Sequence, residues 1–226
     1  MSESVDDYLK ALYQLGEEPH PATPRAVATG ELALALGVSP ASASAMMKRL
    51  AAAPEALVLH TAHGGARLSP GGRRHALRVL RRHRLLEAFL HLHLGYAWDE
   101  VHEEADRLEH AVSDRFCEAL AQFLGRPTQD PHGEPIPEAD GTLGVALERA
   151  LSELPVEAEA RVRRVTTRDA SLLRYLRERG LLPGARVRLS SRDPFGGSLR
   201  LVVEGRTVEL GPEAAVALFL ERGEDT

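Results

Sequence analysis

The sequence predicts a mainly α-helical chain in three parts: an N-terminal winged helix-turn-helix, a helical middle region and a small C-terminal β-barrel module. Three observations carry this. Apolar residues recur at helical spacing through the first half of the chain. The segment Arg126–Asp140, RPTQDPHGEPIPEAD, holds four prolines and breaks that spacing. From about Ala160 apolar and polar residues alternate, as strands require. The expected divisions are residues 1–75, 76–140, a linker with a short helix over 141–159, and 160–226. A chain of 226 residues is long enough to bury several cores.

Val5, Tyr8, Leu9, Leu12 and Leu15 predict a first amphipathic helix whose polar face holds Asp6, Asp7 and Lys10. After a proline-rich loop, Thr29 can cap a short helix through Leu36, and Gly37 can end it. Ser39-Pro40 reads as N-cap and first helical position of the next helix, which runs to about Ala53. Two short runs, 57–61 and 66–68, flank a turn at His63-Gly64-Gly65 and predict a two-stranded wing. Ser39, Ala41, Ser42, Ser44, Ala45, Lys48 and Arg49 then fall on or near the exposed side of the second helix of the pair, suited to phosphate and base-edge contacts in a major groove of double-stranded DNA. The plainer alternative is a three-helix core with a hairpin and no nucleic acid. The wing and the basic run Arg78, Arg81, Arg82 and Arg84 favour DNA.

Ser69-Pro70 opens a long helix to about Leu94, on which His83 and Glu87 stand four apart and share a face. A helix from about Asp99 places His102, Asp106, Glu109 and His110 along one stripe. Imidazoles and carboxylates converging from two helices suit a divalent transition metal. Leu85, Leu86, Phe89, Leu90, Leu108, Val112, Phe116 and Leu120 form an apolar surface that a symmetric dimer would bury. A short helix over Leu143–Leu154 is expected before Pro155. Beyond it come a helix near Asp169–Arg179 and strands around a turn at Asp193–Gly197.

Composition narrows the function classes. The lone Cys117 excludes an intrachain disulfide framework and a thiolate zinc cage, and fits a reducing cytosol. No apolar run reaches the roughly 20 residues a membrane helix needs, and the acidic start MSESVDDY is no signal peptide, so a cytoplasmic protein with no membrane partner is expected. The net charge of −5 averages over an uneven distribution. Residues 85–126 carry nine acidic against three basic side chains, whereas 76–84 carry four arginines and no acid.

The segments DDYLKALYQL at 6–15, VSPASASAMMKRL at 38–50, LSPGGR at 68–73, RRHRLLEAFL at 81–90, VHEEADRLEHAVSD at 101–114 and DPHGEPIP at 130–137 together resemble the diphtheria toxin repressor family of metal-dependent transcriptional repressors, including its manganese-sensing branch. The C-terminal part is similar to the SH3-like (FeoA-like) domain of the longer members. The resemblance implies a helical metal-binding and dimerisation domain behind the winged helix, and a homodimer that represses metal-uptake genes from a palindromic operator when metal is sufficient. It places a primary metal site on Asp7, Asp106, Glu109 and His110. An ancillary site falls on His83, Glu87 and His102, with Asp169 a contribution from the third domain. Asp7 stands where the family has a methionine, and Asp106 where iron-sensing members often have cysteine. Hard oxygen in place of sulfur favours Mn(II), with Fe(II) second. Lys10 replaces the glutamate of the short manganese regulators, which counts against a two-metal site of that kind. Asp130 replaces the cysteine of the CPHGxPIP segment. Asp130 and His132 are alternative ancillary ligands, although for His132 a rigid proline linker is the preferred reading. In the implied mechanism, metal joins the first helix to the metal-binding helices through Asp7. Without it, Asp7, Asp106 and Glu109 repel one another and loosen that helix.

Two rival functions are weighed against this. An iron-dependent repressor of the same family differs only in its metal. A hydrolytic metalloenzyme would use similar donors, but the sequence supplies no clear nucleophile, phosphate loop or oxyanion arrangement, so the chain is read as no enzyme.

Overall fold

In a computed structural model, which describes residues 3–17, 24–61, 64–144 and 147–222, the chain forms two compact units. The first holds the described residues up to Arg82 together with Glu109–Asp114 and Pro137–Thr142. The second holds His83–Leu108, Arg115–Ile136 and the described residues from Leu143 onward.

The first unit begins with α1 (Glu3–Gly16), which buries Val5, Tyr8, Leu9, Leu12 and Tyr13 at helical spacing. It also buries Asp6 and Lys10, which the sequence placed on a polar face. Helix α2 (Thr29–Ala35) follows, with Thr29 as its first helical residue; Ala28 is the N-cap and makes no side-chain cap bond, so the expected Thr29 cap is not formed. Gly37 adopts φ +64 and ends the turn. Helix α3 (Pro40–Ala52) starts as expected, with Ser39 Oγ accepting the Ser42 N–H at 3.1 Å and Pro40 in the first turn. Ala43, Met47 and Leu50 bury one stripe of α3 and leave the opposite face to solvent. Strands β1 (Val58–Thr61) and β2 (Gly65–Leu68) pair antiparallel from Val58↔Leu68 to Thr61↔Gly65. His63 of the expected turn lies outside the described residues.

Helix α4 (Pro70–Leu94) is capped by Ser69, whose hydroxyl accepts the Gly72 N–H at 3.0 Å, and the division between the units falls within it, after Arg82. Helix α5 (Val101–Leu108) is short, and α6 (Asp114–Phe123) follows. Leu92, Leu94, Phe116 and Phe123 remain exposed on α4 and α6.

The helix expected over Leu143–Leu154 is not formed. Glu148–Ala150 is a strand, β3, and Leu151–Glu153 a single 3-10 turn. Leu147, Leu151 and Leu154 have helical spacing, but Leu151 and Leu154 lock into the core of the C-terminal sheet while β3 pairs with the last strand. That sheet comprises β3, β4 (Glu159–Val165), β5 (Arg186–Arg192), β6 (Leu199–Val203), β7 (Arg206–Leu210) and β8 (Leu218–Glu221). The order is β3-β8-β4-β5-β6-β7, antiparallel at every ladder and open, with β3 and β7 at its ends. Helix α7 (Ala170–Glu178) packs Leu173 and Leu176 into the same core, and α8 (Pro212–Ala215) precedes β8. No helix among the described residues is long and apolar enough to cross a membrane.

Candidate metal centre

Each unit holds a cluster of nitrogen and oxygen donors. In the second unit, His83 and Glu87 share a face of α4, and His102 and Asp106 share a face of α5. His83 Nε2 lies 2.9 Å from Glu87 Oε1, His102 Nδ1 is closer still to the same oxygen, and His83 Nδ1 is 3.2 Å from Asp106 Oδ1. Glu87 is wholly buried, and neither of its oxygens completes a hydrogen bond of acceptable geometry. Burial opposes its charge, yet the imidazoles of His83 and His102 outweigh burial and hold its carboxyl well below the usual range.

Asp130 and His132 close on the same carboxylate: ligand atoms of Glu87, Asp130 and His132 lie within 4.8 Å of one another. The His132 ring stacks on His102 with centroids 4.6 Å apart and planes 4° from parallel. His132 Nε2 lies 2.9 Å from the Trp98 carbonyl oxygen. A carbonyl only accepts, so this bond assigns the proton to Nε2 and leaves a lone pair on Nδ1, which is buried without a hydrogen-bond partner. Burial pushes the His132 pKa down to about 4, keeping the ring neutral. Burial, with the Glu87 charge behind it, raises the Asp130 carboxyl well above its usual range despite Arg84 at 3.7 Å. His132, read from the sequence as part of a rigid proline linker, is 1% exposed and lies in this cluster. The four prolines around it masked that signal in the sequence.

In the first unit, Asp7 of α1 meets Glu109 and His110, which lie in the turn after α5. His110 Nε2 is 3.0 Å from Asp7 Oδ1 and 3.5 Å from Glu109 Oε1. Its Nδ1 is buried without a hydrogen-bond partner, 3.6 Å from Asp6 Oδ2, and Asp6 in turn pairs with His75 Nε2 at 2.7 Å. Partial burial raises the Asp7 carboxyl, with the Glu109 charge adding and the charges of His110 and Lys10 opposing. Lys10 Nζ sits 2.5 Å from Glu109 Oε1, with the two side chains 6% and 0% exposed.

The single stripe of four donors expected on one helix is thus divided. Helix α5 ends at Leu108, so His102 and Asp106 lie on it while Glu109 and His110 lie in the turn that follows. Asp106, expected with Asp7, pairs with His83. Asp169 joins no donor group among the described residues; its carboxylate caps α7, accepting the Ser171 and Leu172 N–H groups at 2.8 and 3.3 Å. The buried Lys10–Glu109 pair was missed in the sequence, where Lys10 stood out only as a departure.

Both clusters fit a divalent cation. Buried lone pairs on Glu87, His132 and His110 lack hydrogen-bond partners, and every donor is nitrogen or oxygen. On α3, Ser39, Ala41, Ser42, Ala45, Lys48 and Arg49 are exposed and Ser44 is half-buried, so the face expected to meet DNA is solvent-accessible.

Family models match most of the chain, in order. The iron dependent repressor N-terminal DNA-binding domain covers residues 1–62, the iron dependent repressor metal-binding and dimerisation domain 69–138, and the FeoA domain 149–222. The iron-dependent repressor IdeR of Mycobacterium tuberculosis is 32% identical over 239 residues, covering 98% of this chain and 100% of the relative. The chain belongs to the diphtheria toxin repressor family. The diphtheria toxin repressor of Corynebacterium diphtheriae itself is 26% identical over 229 residues, 97% of each chain. Among solved structures of the family, a manganese-dependent transcriptional repressor in complex with manganese superposes with a TM-score of 0.87 at 40% identity, covering 96% of this chain and 99% of that one. The manganese regulator SloR superposes at 0.79 with 33% identity, covering 99% and 100%. The diphtheria toxin repressor family is one of transcriptional repressors, so no support remains for the hydrolase alternative.

Proposed function

We propose that this chain is a Mn(II)-dependent repressor, with Fe(II) as second metal. It acts in the cytoplasm as a homodimer on a palindromic operator and represses metal-uptake genes, and its C-terminal domain is of the SH3-like small-barrel type. One observation carries the reading: two convergent donor sets without sulfur, the largely buried His83–Glu87–His102 with Asp130 and His132, and the partly buried Asp7–Glu109–His110. The hardness of these donors favours Mn(II). A bound divalent cation would supply positive charge and directional bonds to carboxylates that otherwise repel.

The residues themselves do the rest. Asp7 is the donor that α1 contributes, so its engagement with Glu109 and His110 ties α1 to the turn after α5. Lys10, paired with Glu109, offsets carboxylate charge in the metal-free protein, which keeps α1 from being expelled by repulsion. Asp106, half-exposed beside His83, is a candidate donor to the α4–α5 cluster rather than to Asp7. The exposed apolar side chains of α4 and α6 suit a dimer seam, and a dimer presents two α3 helices to major grooves about 34 Å apart. The gain in DNA affinity is limited to the metal's preference for the DNA-competent state. Metal titration of the wild type against His110→Ala and Glu87→Ala tests this. Each variant is expected to lose one class of Mn(II) site and to weaken metal-dependent DNA binding while remaining dimeric. Full Mn(II) uptake and response in both would refute the assignment.

A further inference from the structure

We propose that Arg164 of β4, with Gly133 as its steric counterpart, is a positioning residue for the metal centre: it locks the Asp130–Glu134 turn so that His132 Nδ1 and the Asp130 carboxylate face Glu87. The inference rests on the reading of that cluster as a metal site.

The turn is held from two sides. Within it, Asp130 Oδ1 accepts the N–H groups of His132 at 2.8 Å and Glu134 at 3.0 Å. Trp98 fixes it further, donating from Nε1 to the Pro131 carbonyl at 2.9 Å. Against the sheet, the Val165 N–H donates to the His132 carbonyl at 2.9 Å. At Gly133, φ is +83, and an added Cβ would stand 2.1 Å from the Arg163 carbonyl oxygen and 2.9 Å from Arg164 Cα. Only glycine lets the turn approach β4 this closely.

Arg164 then clamps it. Its guanidinium is 7% exposed, lies over the Phe219 ring at 4.3 Å, and bridges Glu148 of β3 at 2.5 Å and Glu134 at 3.0 Å. The second Glu134 oxygen receives Arg84 Nη2 at 3.2 Å, and Arg84 Nη1 donates to the Pro135 carbonyl at 2.7 Å. Arg84 stands three residues before Glu87, so it shares the face of α4 from which Glu87 projects. A continuous chain, Glu148–Arg164–Glu134–Arg84, therefore runs from the C-terminal sheet to the helix that carries two of the donors. Arg164 acts through Glu134 and the backbone of the turn.

Groups outside a metal's ligand set that orient its ligands typically affect affinity 10–100-fold. The test is Mn(II) binding to full-length protein, with His110→Ala added to isolate the α4–α5 cluster and Glu87→Ala added to isolate the other. Arg164→Gln is expected to weaken Mn(II) at the α4–α5 cluster about 10–100-fold, to leave the Asp7–Glu109–His110 site within about twofold, and to speed amide exchange at Val165 in metal-free protein. Arg164→Lys should fall between. If Arg164→Gln does not fold, Glu134→Gln breaks the same chain without altering β4. Unchanged affinity at the α4–α5 cluster overturns the proposal, and so does equal weakening at both sites, which would make Arg164 a general structural residue. A wild type that takes up no Mn(II) at this cluster would instead sink the functional reading, and the proposal with it.

Discussion

Replacing Lys10 by methionine keeps the length and apolar stem of the side chain and removes its charge. In the metal-free protein Glu109 is 0% exposed and 2.5 Å from Lys10 Nζ, so the variant leaves a buried carboxylate without its ammonium. Removing one partner of a buried ion pair costs about 3–5 kcal/mol. The His110 ring nitrogen Nε2 remains beside Glu109 at 3.5 Å, which places the expected loss near the lower end, about 3 kcal/mol. A divalent cation at Asp7, Glu109 and His110 supplies the missing charge, so the same substitution should cost less in loaded protein. If the metal recovers about 2 kcal/mol, Mn(II) must bind Lys10→Met about 30-fold more tightly at this site, since the cycle closes and each 1.4 kcal/mol is tenfold. Urea unfolding with chelator and with saturating Mn(II), at constant slope in denaturant, measures both legs. A metal-free loss below about 1 kcal/mol, or an identical loss with and without Mn(II), would refute the reasoning.

Three further outcomes are expected. An added Cβ at Gly72 would lie 1.9 Å from the Leu57 carbonyl oxygen, so Gly72→Ala should destabilise the first unit by about 2 kcal/mol or more, read as a lower thermal midpoint. His132 is neutral in the fold and titrates there at about 4 against 6.5 when exposed, so the unfolded chain binds the extra proton. Metal-free protein should accordingly lose stability as pH falls from about 6.5 toward 4, up to roughly 3 kcal/mol, and His132→Gln should flatten that slope in urea titrations across pH. Lys48→Ala and Arg49→Ala should each weaken DNA binding across all sequences and reduce the slope of log affinity against log salt by about 1; an unchanged slope would take these side chains off the phosphate backbone.

The parts of the fold that local chemistry dictates were legible. Ser39-Pro40 fixes the start of α3, and His83 with Glu87 can only share a face of α4. What escaped depends on tertiary contacts. Nothing between His102 and His110 signals a stop, yet α5 ends at Leu108, which leaves Glu109 and His110 in the turn beyond it. Asp6 and Lys10 read as a solvated face because charge normally is; their burial follows from partners about 70 and 100 positions away, His75 and Glu109. Leu151 and Leu154 carry helical spacing, but three residues of β3 completing a ladder with β8 outweigh it. Asp130 and His132 were weighed only as alternative donors, with a linker preferred for His132; their burial against Glu87 depends on Gly133 meeting β4, which no local pattern reveals.

The central claim is metal gating of DNA binding, and selection of bound duplexes from a random pool tests it most directly, run with Mn(II), with anaerobic Fe(II) and with chelator at one salt concentration. Enrichment of a palindrome only in the presence of metal, strongest with Mn(II), is the predicted result. Equal enrichment with chelator would contradict it.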